Sequence, residues 1–209
     1  MSRKFKIVKD YYEEEVYLYK KATVEFKPGL TVLVGCNGAG KTTLLHQIEN
    51  RLKKEHIPCL YYNCDKDGKN EVSKAAFYSN FEFIATAISS SEGENLVLNM
   101  GNTAQRIGKL VRENPTSSEI WILLDAVDSG LSIDNVVGMK ENLFNLVFET
   151  TEGKDIYIVV SANAYEMCRG ENCFDVINGK YLKFKDYEDY RDFVLKSAQE
   201  KEKRYEGQQ

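Results

Sequence analysis

The 209-residue sequence predicts a single α/β domain whose central sheet is mostly parallel and flanked by helices. Several apolar runs are continuous rather than alternating, as expected for strands that are buried on both faces. Segments with a helical spacing of apolar residues lie between these runs. With 43% hydrophobic residues, the chain also has enough apolar side chains to form the core of one such domain.

The first half of the chain begins with short β-rich runs, which we expect at residues 5–8, 22–26 and 30–34. We predict antiparallel strands at the N-terminal end. Residues 41–54 predict a helix, because Leu44, Ile48 and Leu52 fall on one face. A further strand is predicted at residues 59–62.

The second half continues the alternation of helices and strands. Residues 95–112 predict a helix, since Val97, Ala104 and Val111 recur at helical spacing. Two apolar strands are predicted at residues 120–124 and 156–160, with a helix around residues 139–149 between them.

The C-terminal segment, about 173–205, is predicted to be an appendage of the domain. Residues 174–177 and 181–184 predict a β-hairpin, because the Asn178-Gly179 pair between them favours a tight turn. Asp186 is placed to cap a helix that carries Tyr190 and Phe193 on one side. We expect the charged residues 201–209 to fray.

A glycine-rich loop precedes the helix at residues 41–54. It has the sequence GCNGAGKT and matches G-x-x-x-x-G-K-[ST] at every fixed position. Its backbone N–H groups can wrap phosphates, and the helix N-terminus adds positive potential. Lys41 is expected to reach the β- and γ-phosphates of ATP, and Thr42 to bind Mg²⁺. The residues predicted to contact Mg²⁺–ATP are Gly35, Asn37, Gly38, Ala39, Gly40, Lys41, Thr42 and Thr43.

The apolar run at residues 120–124 ends in a carboxylate, Asp125. This is the Walker B pattern, in which the aspartate holds Mg²⁺ directly or through water. A lone acid at a strand end is weak evidence, so the interpretation depends on the glycine-rich loop earlier in the chain. We therefore predict that Asp125 and Thr42 hold the metal together.

Three stretches of the chain carry motifs that occur together in one family. They are the loop with its following residues (35–45), SEGE at 91–94, and DAVDSGLS at 125–132. Together they resemble the ABC-type ATPases related to SMC and RecF proteins, and the third stretch is similar to that family's Walker B motif and D-loop. The resemblance covers residues 30–161 and implies that two ATP-bound subunits form a head-to-tail homodimer. The residues it implies in nucleotide sites across the interface are Ser91, Gly93, Glu94 and Ser129. Residues 89–94 also fit an ordinary capped helix start.

The sequence departs from the pattern of that family at functional positions. Ala126 replaces the catalytic glutamate, and we interpret it as a Glu→Ala change that traps ATP; a naturally slow or non-hydrolysing protein is the alternative. Asn163 replaces the usual switch histidine and is predicted either to contact the γ-phosphate or to cap the next helix. The Q-loop glutamine has no clear counterpart, and the polar candidates are Asn63, Asp65 and Asn80.

Three functional hypotheses follow from these features. The first is an ABC/SMC/RecF-like ATPase that hydrolyses ATP with Mg²⁺ and drives a transaction of a partner protein or nucleic acid. The second is a non-hydrolysing, ATP-gated interaction module, which Ala126 would explain. The third is a small P-loop nucleotide kinase, which has no use for the D-loop-like residues 125–132.

Charge and composition bear on partners and location. A formal net charge of −4 does not favour nucleic acid, although a local basic face is compatible with it. No apolar run approaches the roughly 18 residues of a membrane helix, so we expect no membrane contact and a cytoplasmic protein. The five cysteines lack zinc-ligand spacing, and we interpret His46 and His56 as ordinary surface or packing residues.

Overall fold

The computed structural model describes residues 2–8, 19–64, 92–151 and 153–206, with the backbone alone for residues 92–102 and 205. Within these ranges, a small antiparallel sheet accompanies a larger, mostly parallel one. The small sheet pairs strand β1 (Arg3–Lys6) with strand β2 (Thr23–Phe26). The prediction of antiparallel strands at the N-terminal end is therefore confirmed.

Six strands form the larger sheet, and all but its last pair run parallel. They are β3 (Gly29–Val34), β4 (Cys59–Asn63), β5 (Glu119–Asp125), β6 (Asp155–Ser161), β7 (Asn172–Asp175) and β8 (Lys180–Leu182). The strand order across the sheet is β4-β5-β6-β3-β7-β8. This arrangement confirms the predicted α/β fold with a mostly parallel central sheet.

Helices lie between the strands of this sheet, and the last helix follows its final strand. They are α1 (Lys41–Lys54), α2 (Glu92–Glu113), α3 (Ile133–Gly138), α4 (Asn145–Thr150), α5 (Tyr165–Cys168) and α6 (Tyr187–Glu206). A π-helical segment, Met139–Phe144, joins α3 to α4, so the helix predicted around residues 139–149 instead begins at Ile133. In the described ranges, no helix is both long and apolar enough to cross a bilayer.

Strand β5 shows why the apolar runs of the sequence are continuous. Ile122 and Leu124 belong to the hydrophobic cluster on one side of the sheet. Trp121 and Leu123 belong to the cluster on the other side. Trp121 stacks on Tyr157 of β6, with ring centroids 3.9 Å apart and an interplanar angle of 4°. Both faces are therefore buried, as the parallel strands require.

The C-terminal segment contributes to the central sheet, because β7 pairs in parallel with β3. The hairpin turn spans residues 176–179 and is longer than the predicted two-residue turn. Asp175 lengthens it by accepting hydrogen bonds from Asn178 N at 3.0 Å and Asn178 Nδ2 at 2.7 Å. Helix α6 continues to Glu206, although we expected fraying from residue 201.

The strand order determines where a ligand can bind. From β3 the chain crosses to β4 on one side and finally returns to β7 on the other side, so β3 lies at a topological switch point. Ligands of open α/β sheets bind beyond the carboxyl ends of the strands at such a point. The register brings Asn63 opposite Asp125, and Leu33 opposite Ser161, at that edge.

Candidate phosphate-binding site

The loop between β3 and α1 has the backbone geometry of a phosphate cradle. Gly38 and Gly40 adopt φ angles of 75° and 94°, which glycine takes at the lowest cost. A Cβ at residue 40 would lie 2.6 Å from the hydroxyl of Tyr19, which donates a hydrogen bond to the Gly40 carbonyl. Gly40 is the N-cap of α1, and no acidic residue lies in the first turn. The N–H groups of this helix end are therefore suited to an anion.

The ammonium group of Lys41 lies against this loop. Its Nζ donates hydrogen bonds to the carbonyl oxygens of Gly35 at 2.9 Å and Cys36 at 3.3 Å. Burial lowers the pKa of Lys41, and the nearby groups, Cys36, Asp128 and Asp125 among them, oppose that shift. A phosphate oxygen is a stronger acceptor for an ammonium than a neutral carbonyl. Lys41 is therefore placed to transfer its hydrogen bonds to a bound phosphate.

Asp125 ends strand β5 and is 2% exposed. Four side chains donate hydrogen bonds to its carboxylate. Thr42 Oγ1, at 3.2 Å, and Ser161 Oγ donate to Oδ1. Asn63 Nδ2, at 2.9 Å, and Tyr61 OH, at 3.2 Å, donate to Oδ2. These donors replace water around the carboxylate and offset the cost of burying it.

Thr42 and Asp125, which the sequence predicts as metal ligands, lie side by side in the structure. Their hydroxyl and carboxylate oxygens are 3.2 Å apart. Neighbouring ligands of an octahedral Mg²⁺ lie about 2.9 Å apart, because each is about 2.0–2.1 Å from the metal. The pair therefore fits Mg²⁺ in both spacing and ligand type, since Mg²⁺ prefers oxygen ligands.

Sequence reasoning missed most of the donors around Asp125. The sequence pattern assigns no role to Tyr61 or Ser161, and it marks Asn63 only as a Q-loop candidate. Strand register explains their position, because Asn63 is opposite Asp125 and the chain of β6 ends at Ser161 beside β5. Polar residues at the carboxyl ends of predicted parallel strands are the signal that points to them.

Tyr61 links Asp125 to helix α1. Its ring centroid lies 4.6 Å from that of His46, and its hydroxyl lies 3.4 Å from His46 Nε2. Nδ1 of the same histidine lies 3.6 Å from Glu49. Burial and the neighbouring Asp125 raise the pKa of Tyr61, so its hydroxyl stays a neutral donor. His46 is thus a packing residue that also supports Tyr61.

Ala126 follows Asp125 in a strained backbone conformation. Its φ angle is 52°, in the left-handed region that side-chain-bearing residues rarely adopt. Its N–H donates a 2.8 Å hydrogen bond to Ser161 Oγ, the same hydroxyl that contacts Asp125. A side chain at residue 126 therefore starts from a backbone that is linked to the Asp125 carboxylate through the Ser161 hydroxyl.

The turn after β5 is joined to the loop after β6 by Asp128. One oxygen of its carboxylate, Oδ2, accepts hydrogen bonds from the N–H groups of Asn163, at 2.7 Å, and Ala164. The carbonyl of Asn163 accepts a further hydrogen bond from the Tyr190 hydroxyl. Both the N–H and the carbonyl of Asn163 are thus hydrogen-bonded, while the residue remains exposed. The switch role of Asn163 stays a prediction.

Four residues are predicted to take part in nucleotide sites across a subunit interface, and the structure describes them only in part. Ser91 falls outside the described residues, and Gly93 and Glu94 lie at the start of α2, where only the backbone is described. Ser129 is half-buried in the turn after β5, and its N–H donates to the Ala126 carbonyl at 3.1 Å. The roles predicted for these four residues across a subunit interface therefore stay predictions.

The sequence matches a known protein family over the region that contains this site. A family model described as an AAA domain matches residues 24–164, which include β3, the glycine-rich loop, Asp125 and β6. No curated protein matches the chain. The match spans about two thirds of the sequence and implies nucleotide binding. The chain therefore belongs to the AAA-domain family of P-loop proteins.

Proposed function

We propose that this protein is an ABC-type ATPase of the SMC and RecF class that binds Mg²⁺–ATP and dimerises head to tail. The contact between Thr42 and Asp125, beside the Lys41 loop, carries the proposal. A hydroxyl, a buried carboxylate and an ammonium are the three side-chain groups that P-loop ATPases use for Mg²⁺ and the β- and γ-phosphates. Thr42 and Asp125 would hold the Mg²⁺, which neutralises phosphate charge when it is bound.

Position 126 determines how fast this ATPase works. A methyl group cannot accept a proton from water, so hydrolysis should be slow in the Ala126 protein. The hydrogen bond from Ala126 N to Ser161 would keep a glutamate side chain at this position close to Asp125 and the phosphates. We propose that Ala126 is a Glu→Ala change that traps ATP.

The proposed dimer is supported by residues beside the D-loop-like turn. Ile133 follows Ser132 directly and is 69% exposed, although it is large and apolar. In the resemblance stated above, the D-loop lies at a subunit interface. The exposed apolar side chain of Ile133 beside it would be buried if another subunit bound there. We propose that this subunit is a second copy of the chain, and that the dimer drives a transaction of another protein or of nucleic acid.

Ala126 also favours a second candidate function. A protein that never had a general base at this position would act as an ATP-gated interaction module, binding and releasing a partner without turnover. Restoring a glutamate separates the two candidates, because only a true ATPase framework gains turnover from it.

Calorimetric titration with Mg²⁺–ATP tests the nucleotide site itself. The Lys41→Ala variant should lose most of its ATP affinity, because Lys41 is the loop's own cation for the β- and γ-phosphates. Lys54→Ala is the matched control, since Lys54 is exposed at the other end of α1. Thermal melting of both variants verifies their fold. A parent protein that binds no ATP, or equal ATP affinity in the two variants, would contradict the proposal.

A further inference from the structure

Helix α6 lies directly against the glycine-rich loop. The hydroxyl of Ser197 accepts a 3.0 Å hydrogen bond from the backbone N–H of Cys36, and Ser197 itself is buried. Ala198 packs against a small apolar cluster that contains Cys36 and Ala39 of the loop. The match to the AAA domain ends at residue 164, so the loop lies inside the matched region and helix α6 lies outside it.

One helical turn after Ser197, a lysine reaches the apex of the loop. Nζ of Lys201 donates a 2.9 Å hydrogen bond to the carbonyl oxygen of Asn37. The same ammonium would lie 3.5 Å from a Cβ added at Gly38, so it is beside the middle of the loop. Backbone N–H groups in this part of a P-loop face the phosphates of the nucleotide.

Lys201 has a different kind of partner from Lys20, the lysine that contacts the preceding residue of the same helix. Lys20 forms an ion pair with Glu200 at 2.9 Å. Among the described residues, Lys201 forms no ion pair, and its hydrogen bond goes to a neutral carbonyl oxygen. Lys41 is arranged in the same way, on the carbonyl oxygens of Gly35 and Cys36. The ammonium groups of Lys41 and Lys201 therefore donate hydrogen bonds to the carbonyl oxygens of three consecutive residues of one loop.

We propose that Lys201 is a second cation of the nucleotide site and contacts the terminal phosphate of a bound nucleoside triphosphate. The inference rests on the proposed nucleotide-binding function. On binding, the ammonium of Lys201 would leave the Asn37 carbonyl for a phosphate oxygen, which is the stronger acceptor. The four-carbon stem of a lysine is flexible enough for such a shift. A cation supplied by the same chain can stabilise the charge of a transferring phosphoryl group.

The rest of helix α6 keeps the base of this side chain in place. Glu200 is bound to Lys20, which also donates hydrogen bonds from Nζ to Asn178 Oδ1 at 2.8 Å and from its backbone N to the Ile177 carbonyl at 2.7 Å. Together with Ser197, these contacts fix α6 against the hairpin turn and the loop. Lys201 therefore combines a movable ammonium with a fixed helix position.

Nucleotide affinities of three variants test the proposal. Lys201→Met should weaken ATP binding roughly tenfold to a hundredfold, as expected for the loss of a charge-assisted hydrogen bond, and weaken ADP binding much less. Lys201→Arg should restore most of the ATP affinity, because it keeps the charge. Lys203→Met, on the same helix and exposed, is the control and should bind both nucleotides as the parent does.

Two results would overturn the role of Lys201 without affecting the proposed function. One is equal ATP affinity in Lys201→Met and Lys203→Met, in a protein whose ATP binding still depends on Lys41. The other is an equal loss of ATP and ADP affinity in Lys201→Met, which would mean that the residue only maintains the shape of the loop. Absence of ATP binding in the parent would instead refute the proposed function.

Chemical labelling gives a readout that does not depend on a variant. Acetylation of each lysine by acetic anhydride, measured by mass spectrometry, should slow at Lys201 when ATP is added, and slow less with ADP. Lys203 should react equally in all three states. Labelling of Lys201 that is unchanged by ATP at a saturating concentration would contradict the proposal.

Discussion

The Thr42 hydroxyl lies 3.2 Å from Oδ1 of Asp125, across 83 positions of sequence. Three further donors, Ser161, Asn63 and Tyr61, hold the same carboxylate in place. A carboxylate with this many fixed partners has little freedom to rotate. Its orientation is built into the fold before any ligand binds.

Asp125→Asn should remove the effect of Mg²⁺ on ATP binding. The amide keeps the size of the side chain but loses the charge that attracts the metal. We expect ATP affinity measured with EDTA to stay close to that of the parent, and affinity measured with Mg²⁺ to fall by a factor on the order of 10². Calorimetric titration under the two conditions measures both values. A variant that still responds fully to Mg²⁺ would remove Asp125 from the metal site.

Asn63→Ala should weaken Mg²⁺ binding even though Asn63 is not predicted as a metal ligand. Its Nδ2 orients Asp125 through a 2.9 Å hydrogen bond, and loss of such a supporting contact typically costs about 10- to 100-fold in metal affinity. Mg²⁺ titration of the ATP-bound protein measures the change. Asn50→Ala, on α1, is the control. Equal Mg²⁺ affinity in the two variants would show that Asn63 does not position Asp125.

Ala126→Glu should raise ATP turnover by a factor on the order of 10² or more, because a positioned general base is restored beside Asp125. Phosphate release measures it. Ala126→Gln is the matched control, since it has the same shape without a basic carboxylate, and should stay at the rate of the parent. Turnover that remains at background in both variants would favour the non-hydrolysing interaction module.

ATP should convert the protein from monomer to dimer, and Ser91→Arg should block this step while monomer ATP binding stays nearly unchanged. Light scattering with and without Mg²⁺–ATP measures the mass.

Ile133→Lys should also weaken the dimer, because Ile133 is exposed beside the D-loop-like turn. Leu146→Lys is its control, since Leu146 is exposed about 20 Å further along the same helical stretch. A mass that does not change with nucleotide would contradict the dimer.

Asp128→Ala should destabilise the fold. The substitution removes two hydrogen bonds from backbone N–H groups to a carboxylate, and bonds to charged groups contribute about 1.5–3 kcal/mol. Urea denaturation measures the free energy of unfolding. Asp134→Ala is the control, because Asp134 is exposed in the next helix, and should leave the free energy of unfolding nearly unchanged. Equal stability of the two variants would contradict the structural role of Asp128.

The sequence by itself determined the parts of the protein that depend on consecutive residues. The loop at residues 35–42 and the apolar run that ends at Asp125 are contiguous patterns, and each carries its chemistry within a few positions. The α/β class followed from the alternation of apolar runs and helical periodicity in the same way. The pairing of Thr42 with Asp125 could be predicted because both motifs are expected to bind the same Mg²⁺, and the two side chains are in contact in the structure.

The tertiary structure decided which distant residues meet at those motifs. Tyr61, Asn63 and Ser161 reach Asp125 only because β4 and β6 flank β5 in a particular register. Ser197 reaches Cys36 across 161 positions, because β7 pairs with β3 and returns the chain to the loop. Strand order and register result from the packing of the whole core, since they depend on contacts between distant segments. A local pattern therefore could not reveal that α6 brings Lys201 to the phosphate loop.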